Sequence, residues 1–151
     1  NDWAMAPPAD IFERLLTDYK LAVAEIELAH RLARNETGHG RMSDYFTSTN
    51  NRLGFYYLML KCSYVKQPYT VTQIAEALII SRQSATTLVQ ECLAEGWIEQ
   101  CECPKKHYQA SKILIDADSH YALRRLERLK KIGYQKAAQP LQEYMKLCQT
   151  V

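Results

Sequence analysis

The 151 residues predict a mostly α-helical protein with one small β-hairpin. Apolar stripes at i, i+3/i+4 spacing run through residues 10–33 and 118–149, near the two ends of the chain. Between them, two shorter helical stretches opened by Thr70 and Ser81 precede a pair of short runs around Pro104, Lys105, Lys106 and His107. At roughly 100–200 residues per domain, the length argues for a single domain over 1–151. Apolar residues make up 47% and charged residues 24%, which fits a globular chain and excludes a disordered one.

Residues 1–9 hold Pro7 and Pro8 without periodicity and are expected to be extended. Asp10 can cap a first helix to about Ala33, with Leu15, Ala22, Val23, Ile26 and Ala29 on its apolar stripe. Asn35 and Gly38 should end it. A second helix is expected over Asn50–Tyr64, with Leu53, Tyr56, Tyr57 and Leu60 on one face, and Tyr45 and Phe46 precede it in a loop or a short helix. Thr70 and Gln73 have capping-box spacing and open a short helix with Ile74, Ala75 and Leu78 apolar. Ser81 can cap a further helix through about Glu95, burying Ala85, Leu88, Val89, Cys92 and Leu93, with Gly96 as its stop. Trp97–Cys103 and Tyr108–Ile115 read as strands. Asp116 or Asp118 then caps a long helix carrying Leu123, Leu126, Leu129 and Ile132. Pro140 should break or kink it, with Leu141, Tyr144, Met145 and Cys148 beyond.

Short helix, tight turn, second helix and hairpin is the order of a winged helix-turn-helix, here residues 50–115. Such a unit reads DNA if its second helix packs on one face and offers hydrogen-bonding side chains on the other. Ser81, Arg82, Gln83, Ser84, Thr86, Thr87 and Gln90 supply that outer face, with the acidic Glu91 and Glu95 at the far end. Lys105, Lys106 and His107 at the hairpin tip would reach flanking backbone. Bulk charge does not name the partner: the net +2 divides into 0, −1 and +3 over residues 1–69, 70–115 and 116–151.

The stretches Val71–Leu78 (VTQIAEAL), Ser81–Val89 (SRQSATTLV) and Leu93–Ile98 (LAEGWI) resemble blocks of the MarR family of bacterial transcription regulators. The resemblance implies a homodimeric regulator, most often a repressor, on a palindromic operator in double-stranded DNA. Residues 10–35 and 116–149 would then be dimerisation helices flanking the winged unit. It also implies a pocket for a small aromatic effector, for which Tyr45, Phe46, Tyr56 and Tyr57 are the candidates, against a competing reading as core. The family's wing often carries Asp-x-Arg before its second strand. Aligning Ile113–Ile115 with the family's apolar strand puts His107 and Gln109 there, so no minor-groove arginine is expected.

Five cysteines, at 62, 92, 101, 103 and 148, are an odd number without metal-site spacing. With no basic, apolar leader in view they read as reduced thiols of a cytoplasmic protein. Cys101 and Cys103 alternate along one strand, which keeps open a thiol-based redox sensor beside two ordinary strand cysteines. No hydrolase, metalloprotease or phosphate-loop signature occurs, and Gly38-His39-Gly40 lacks the third glycine of a dinucleotide loop. No enzyme, cofactor, metal or membrane association is expected. A winged-helix protein-interaction module without DNA binding is the remaining alternative, favoured by the −1 charge of residues 70–115.

Overall fold

A computed structural model describes residues 9–37, 40–102 and 105–132, together with 139, 142, 143, 145 and 146. The chain forms two compact units, Gly38–Tyr121 and the pair of end segments Asn1–Thr37 and Ala122–Val151.

The terminal unit contains α1 (Ala9–Thr37) and the latter part of α6 (Lys112–Ile132). Helix α1 is longer than the sequence predicts at both ends: Asp10 lies within its first turn instead of capping it, and Asn35 lies inside it. Its buried positions, Leu15, Ala22, Ala29 and Ala33, follow one seam, and three of the four are alanine. The seam is therefore narrow, and large apolar side chains are left outside it. Phe12, Leu16, Leu21, Leu28 and Leu32 of α1, with Leu123 and Leu126 of α6, are exposed. Arg128 forms an ion pair with Glu36 within the same unit. Pro140, Leu141, Tyr144 and Cys148 lie outside the described residues.

The winged unit runs α2 (Arg41–Thr47), α3 (Asn50–Tyr64), α4 (Val71–Leu78), α5 (Arg82–Glu95), β1 (Ile98–Cys101), β2 (His107–Ala110) and the opening turns of α6. Thr49 caps α3 by accepting from the Arg52 amide at 3.1 Å. The expected face of Leu53, Tyr56, Tyr57 and Leu60 is only part of what α3 buries. Phe55, Tyr56, Leu58, Met59, Leu60 and Cys62 are all buried, whereas Tyr57 is exposed. The reason is position: α3 lies against α2, α4 and β2 and is covered on several sides. A Cβ on Gly54 would stand 3.3 Å from Leu78 Cδ2, so glycine permits the close approach of α4.

The strands pair antiparallel, with Ile98 opposite Ala110 and Cys101 opposite His107. Tyr69 and Tyr108 exchange both backbone hydrogen bonds, at 3.0 and 2.7 Å, which ties the α3–α4 connection to the hairpin. Both strands are shorter than the sequence predicts. Ile113, Leu114 and Ile115, read as strand, are the first turns of α6. The Ser111 hydroxyl donates to the carbonyls of Gly96 (2.7 Å) and Trp97 (3.0 Å), and its own carbonyl accepts the Ile115 amide at 3.0 Å. Those bonds stop the ladder and start the helix. Leu114 then points into the core while Ile113 is exposed, a pattern that alternation alone reads as strand.

Neither Asp116 nor Asp118 caps this helix. Asp116 pairs with Lys112 at 2.8 Å, one turn back. Asp118 is buried and accepts from the hydroxyls of Tyr56 (2.9 Å) and Tyr64 (2.8 Å), both on α3. A buried carboxylate needs such donors, since desolvation without them is costly. Tyr64→Phe removes one donor from the exposed side and is expected to cost about 1 kcal/mol in chemical denaturation. An unchanged midpoint would show that the hydroxyl contributes nothing.

Candidate nucleic-acid interface

The helix-turn-helix is built from local hydrogen bonds. The Gln73 amide donates to Thr70 Oγ1 (3.2 Å) and the Gln73 side chain accepts from the Thr70 amide (2.9 Å), completing the predicted capping box of α4. Ser81 Oγ accepts from the Ser84 amide at 3.0 Å and so caps α5. Gly96, at φ 75°, stops it. Helix α5 buries Ala85, Leu88, Val89 and Cys92, as predicted, and Leu93 is partly buried against the same core.

That inner face orients the outer one. Ser81, Arg82, Gln83, Ser84, Thr87 and Gln90 are exposed, and Thr86 is half-buried. The Thr86 and Thr87 hydroxyls donate back to the carbonyls of Arg82 (2.9 Å) and Gln83 (3.1 Å). Their protons are thus spent inside the helix, and their oxygens remain acceptors. The side chains of Arg82 and Gln83 are not engaged by any other described residue. These two are the long-reach groups at the open end of α5.

The acidic end of α5 is partnered. Glu95 meets Arg41 at 2.5 Å, and Glu91 meets Arg52 at 3.6 Å. The Arg52 guanidinium also lies 4.3 Å from the centre of the Tyr45 ring. Exposed pairs of this kind add little stability. Their consequence here is to offset two of the negative charges that made residues 70–115 look acidic. Sequence reading missed Arg41 and Arg52, because their partners lie about 40 or more positions away and follow no local pattern.

A cleft of about 700 Å³ opens between the start of α4 and the hairpin. Arg82, Lys105, Lys106 and His107 line it together with Thr70, Thr72 and Gln73, with Glu76 the acidic side chain among its lining residues. The structure therefore brings the predicted hairpin cations to the same cleft as the first residue of α5. His107 Nδ1 lies 2.5 Å from the Lys105 carbonyl, an acceptor, and bonds to it in the tautomer that carries the proton on Nδ1. Gln109 donates to Glu99 across the hairpin at 2.7 Å. With the ladder ending at Ala110, Ile113–Ile115 is no strand, and the alignment that set His107 and Gln109 against a family Asp-x-Arg loses its anchor.

The aromatic candidates sit elsewhere in the winged unit. Phe46 and Tyr56 are buried, Tyr45 is half-buried and Tyr57 is exposed. Phe46 lies 5.0–5.3 Å, centre to centre, from the rings of Tyr45, Tyr56 and Trp97, and Tyr56 lies 5.1 Å from Tyr57. Burial pushes the Tyr45 hydroxyl well above the usual phenol range.

Cys62 and Cys92 are core residues. Burial raises both thiols, that of Cys92 up to about 12, which keeps them protonated and unreactive at neutral pH. Cys101 is half-buried opposite His107, and Cys103 lies outside the described residues. Replacing Cys101 and Cys103 together by Ser is expected to leave DNA affinity unchanged, with or without peroxide. A peroxide response present in the parent and lost in this variant would establish the redox-sensor reading. Among the described residues, no three His, Cys, Asp or Glu side chains are grouped to hold a metal ion. No described helix is long and apolar enough to cross a membrane.

No protein-family model matches the chain, and no curated protein matches it either. Solved structures do. A transcriptional regulator from Thermotoga maritima is 15% identical, with a TM-score of 0.58 over 89% of both chains. RV1404 from Mycobacterium tuberculosis is 13% identical, with a TM-score of 0.57 over 93% of this chain and 94% of its own. The multiple antibiotic-resistance repressor MarR from Listeria monocytogenes is 14% identical, with a TM-score of 0.57 over 92% of this chain and 90% of its own. At such identities the likeness is one of fold: this chain folds as a mostly α-helical winged helix-turn-helix, like those three structures.

Proposed function

We propose that the protein is a sequence-specific DNA-binding transcription regulator that acts as a homodimer on a palindromic operator. The observation that carries the reading is helix α5. Its inner face is packed, its acidic end is paired, and its open end presents Arg82, Gln83, Ser84, Thr87 and Gln90 to solvent. In the major groove Arg82 suits O6 and N7 of a guanine, and Gln83 or Gln90 suits N6 and N7 of an adenine. Ser84 can donate from its hydroxyl to a phosphate, while Thr86 and Thr87, whose protons are held by Arg82 and Gln83, accept from donors on base edges. Lys105, Lys106 and His107 meet backbone phosphate along the cleft beside α4.

The second copy is inferred from the terminal unit. Phe12, Leu16, Leu21, Leu28, Leu123 and Leu126 expose more apolar surface on two helices than a lone soluble unit keeps. Residues 10–35 and 116–149 serve in this reading as dimerisation segments. Two-fold symmetry then sets the half-sites about 34–36 Å apart, or a multiple of that. Phe46 and Tyr56, packed against neighbouring rings, serve in this reading as core and not as an effector pocket.

The direct test is to purify the full chain, recover the duplexes it retains from fragmented genomic DNA, and measure binding against salt. Enrichment of a palindrome, with affinity falling as salt rises, is the expected result. Retention of no duplex at low salt would leave the protein-interaction module as the reading.

A further inference from the structure

Three helices of the winged unit end in one kind of turn. After α3, α4 and α5, the amides of Gln67, Ile80 and Trp97 donate to the carbonyls of Cys62, Ala75 and Cys92 at 2.9–3.0 Å. In each turn the residue before that amide is left-handed: Lys66 at φ 57°, Ile79 at φ 56° and Gly96 at φ 75°. Glycine takes this conformation without steric cost, and an unbranched lysine takes it at some cost. A β-branched isoleucine is the outlier. Its side chain gains nothing from packing, because Ile79 is 92% exposed, the most exposed large hydrophobic among the described residues. Ile80 beside it is the one that packs against the core.

The Ile79 amide closes α4, but its bare side chain adds nothing to the packing of its own chain. Such outliers gather where function holds them. Ile79 lies two residues before Ser81, at the end of α5 where Ser81, Arg82 and Gln83 are exposed. We infer that Ile79 is a specificity-determining residue that packs against the methyl group of a thymine at the edge of each half-site. Isoleucine has no donor or acceptor, and the thymine C5 methyl is the apolar feature that base edges present in the major groove. The inference rests on the DNA-binding reading of α5.

The test uses the full chain and the duplex that it selects from a random pool. Ile79→Gly and Ile79→Asn both accept the left-handed backbone, so they are expected to melt no lower than the parent. Their dissociation constants should rise about four- to tenfold. Replacing thymines one at a time by deoxyuridine, which lacks only the methyl, should then find one position per half-site where the parent loses the same factor. At that position the two variants should lose nothing more. Unchanged affinity, a lower melting temperature, or losses that simply multiply at every thymine would each overturn the inference while leaving DNA binding intact. A parent protein that selects no duplex would overturn the DNA-binding reading, and this inference with it.

Discussion

Deleting residues 1–33 is expected to lower affinity for the palindromic duplex by about 100-fold or more, because two half-sites then bind without linkage. Those residues supply Leu15, Ala22, Ala29 and Ala33, the buried seam of the terminal unit, along with its exposed Phe12, Leu16, Leu21 and Leu28. Without them the apolar side chains of Leu123 and Leu126 have no second helix beside which to assemble. The remaining chain should sediment as a monomer or aggregate. Binding to a single half-site should survive if the truncated winged unit stays folded, since no residue of α5 is removed. Sedimentation velocity and fluorescence anisotropy on whole and half operators separate the two effects. A truncated chain that stays dimeric and binds the whole operator normally would remove the dimerisation role from α1.

Arg82 and the hairpin lysines should fail differently. Arg82 begins α5, is exposed, and no other described residue engages its guanidinium. Its fork matches the two acceptors of guanine, so Arg82→Ala should cost about 1–3 kcal/mol and relax preference at one position per half-site. Lys105 and Lys106 are exposed point charges at the mouth of the cleft. An ammonium meets phosphate without reading sequence. Replacing both by Ala should weaken binding to all duplexes alike and flatten the plot of log affinity against log salt by roughly 0.9 for each phosphate no longer neutralised. A hairpin variant with an altered sequence preference, or an Arg82 variant with the same preference, would reverse these roles.

The pairing of Arg41 with Glu95 and Arg52 with Glu91 bears on the same experiment. Residues 70–115 carry −1 by count, which taken alone argues against a polyanionic partner. With the two acidic side chains held at the far end of α5 by arginines from α2 and α3, the open end, in the proposed reading, would meet the duplex with Arg82. Placement, rather than net charge, then governs the encounter.

The parts of the winged unit legible in the residues are those whose bonds close over three or four positions. Thr70 with Gln73, Ser81 with Ser84, and the left-handed Gly96 each satisfy amides or carbonyls of their own helix. Spacing alone therefore located α4 and α5, and it located the outward row from Ser81 to Gln90. The buried stripe of α5 was legible for a related reason, since one side of that helix meets protein and the other meets water.

What the tertiary structure decided depends on groups far apart in the chain. Ile113, Leu114 and Ile115 suit a strand as well as a helix, and the choice falls to Ser111, whose hydroxyl bonds to Gly96 and Trp97, 15 and 14 positions earlier. Asp118 has the chemistry of a cap, yet it is a buried acceptor because Tyr56 and Tyr64 arrive from α3. Helix α3 is covered on several sides, so a single apolar face could not describe it. Ile79 looks like one more apolar residue until the fold leaves it left-handed and bare. Local hydrogen bonds are set by residue type and spacing, whereas burial and long-range pairing are set by which elements meet, and that is settled only when the whole chain packs.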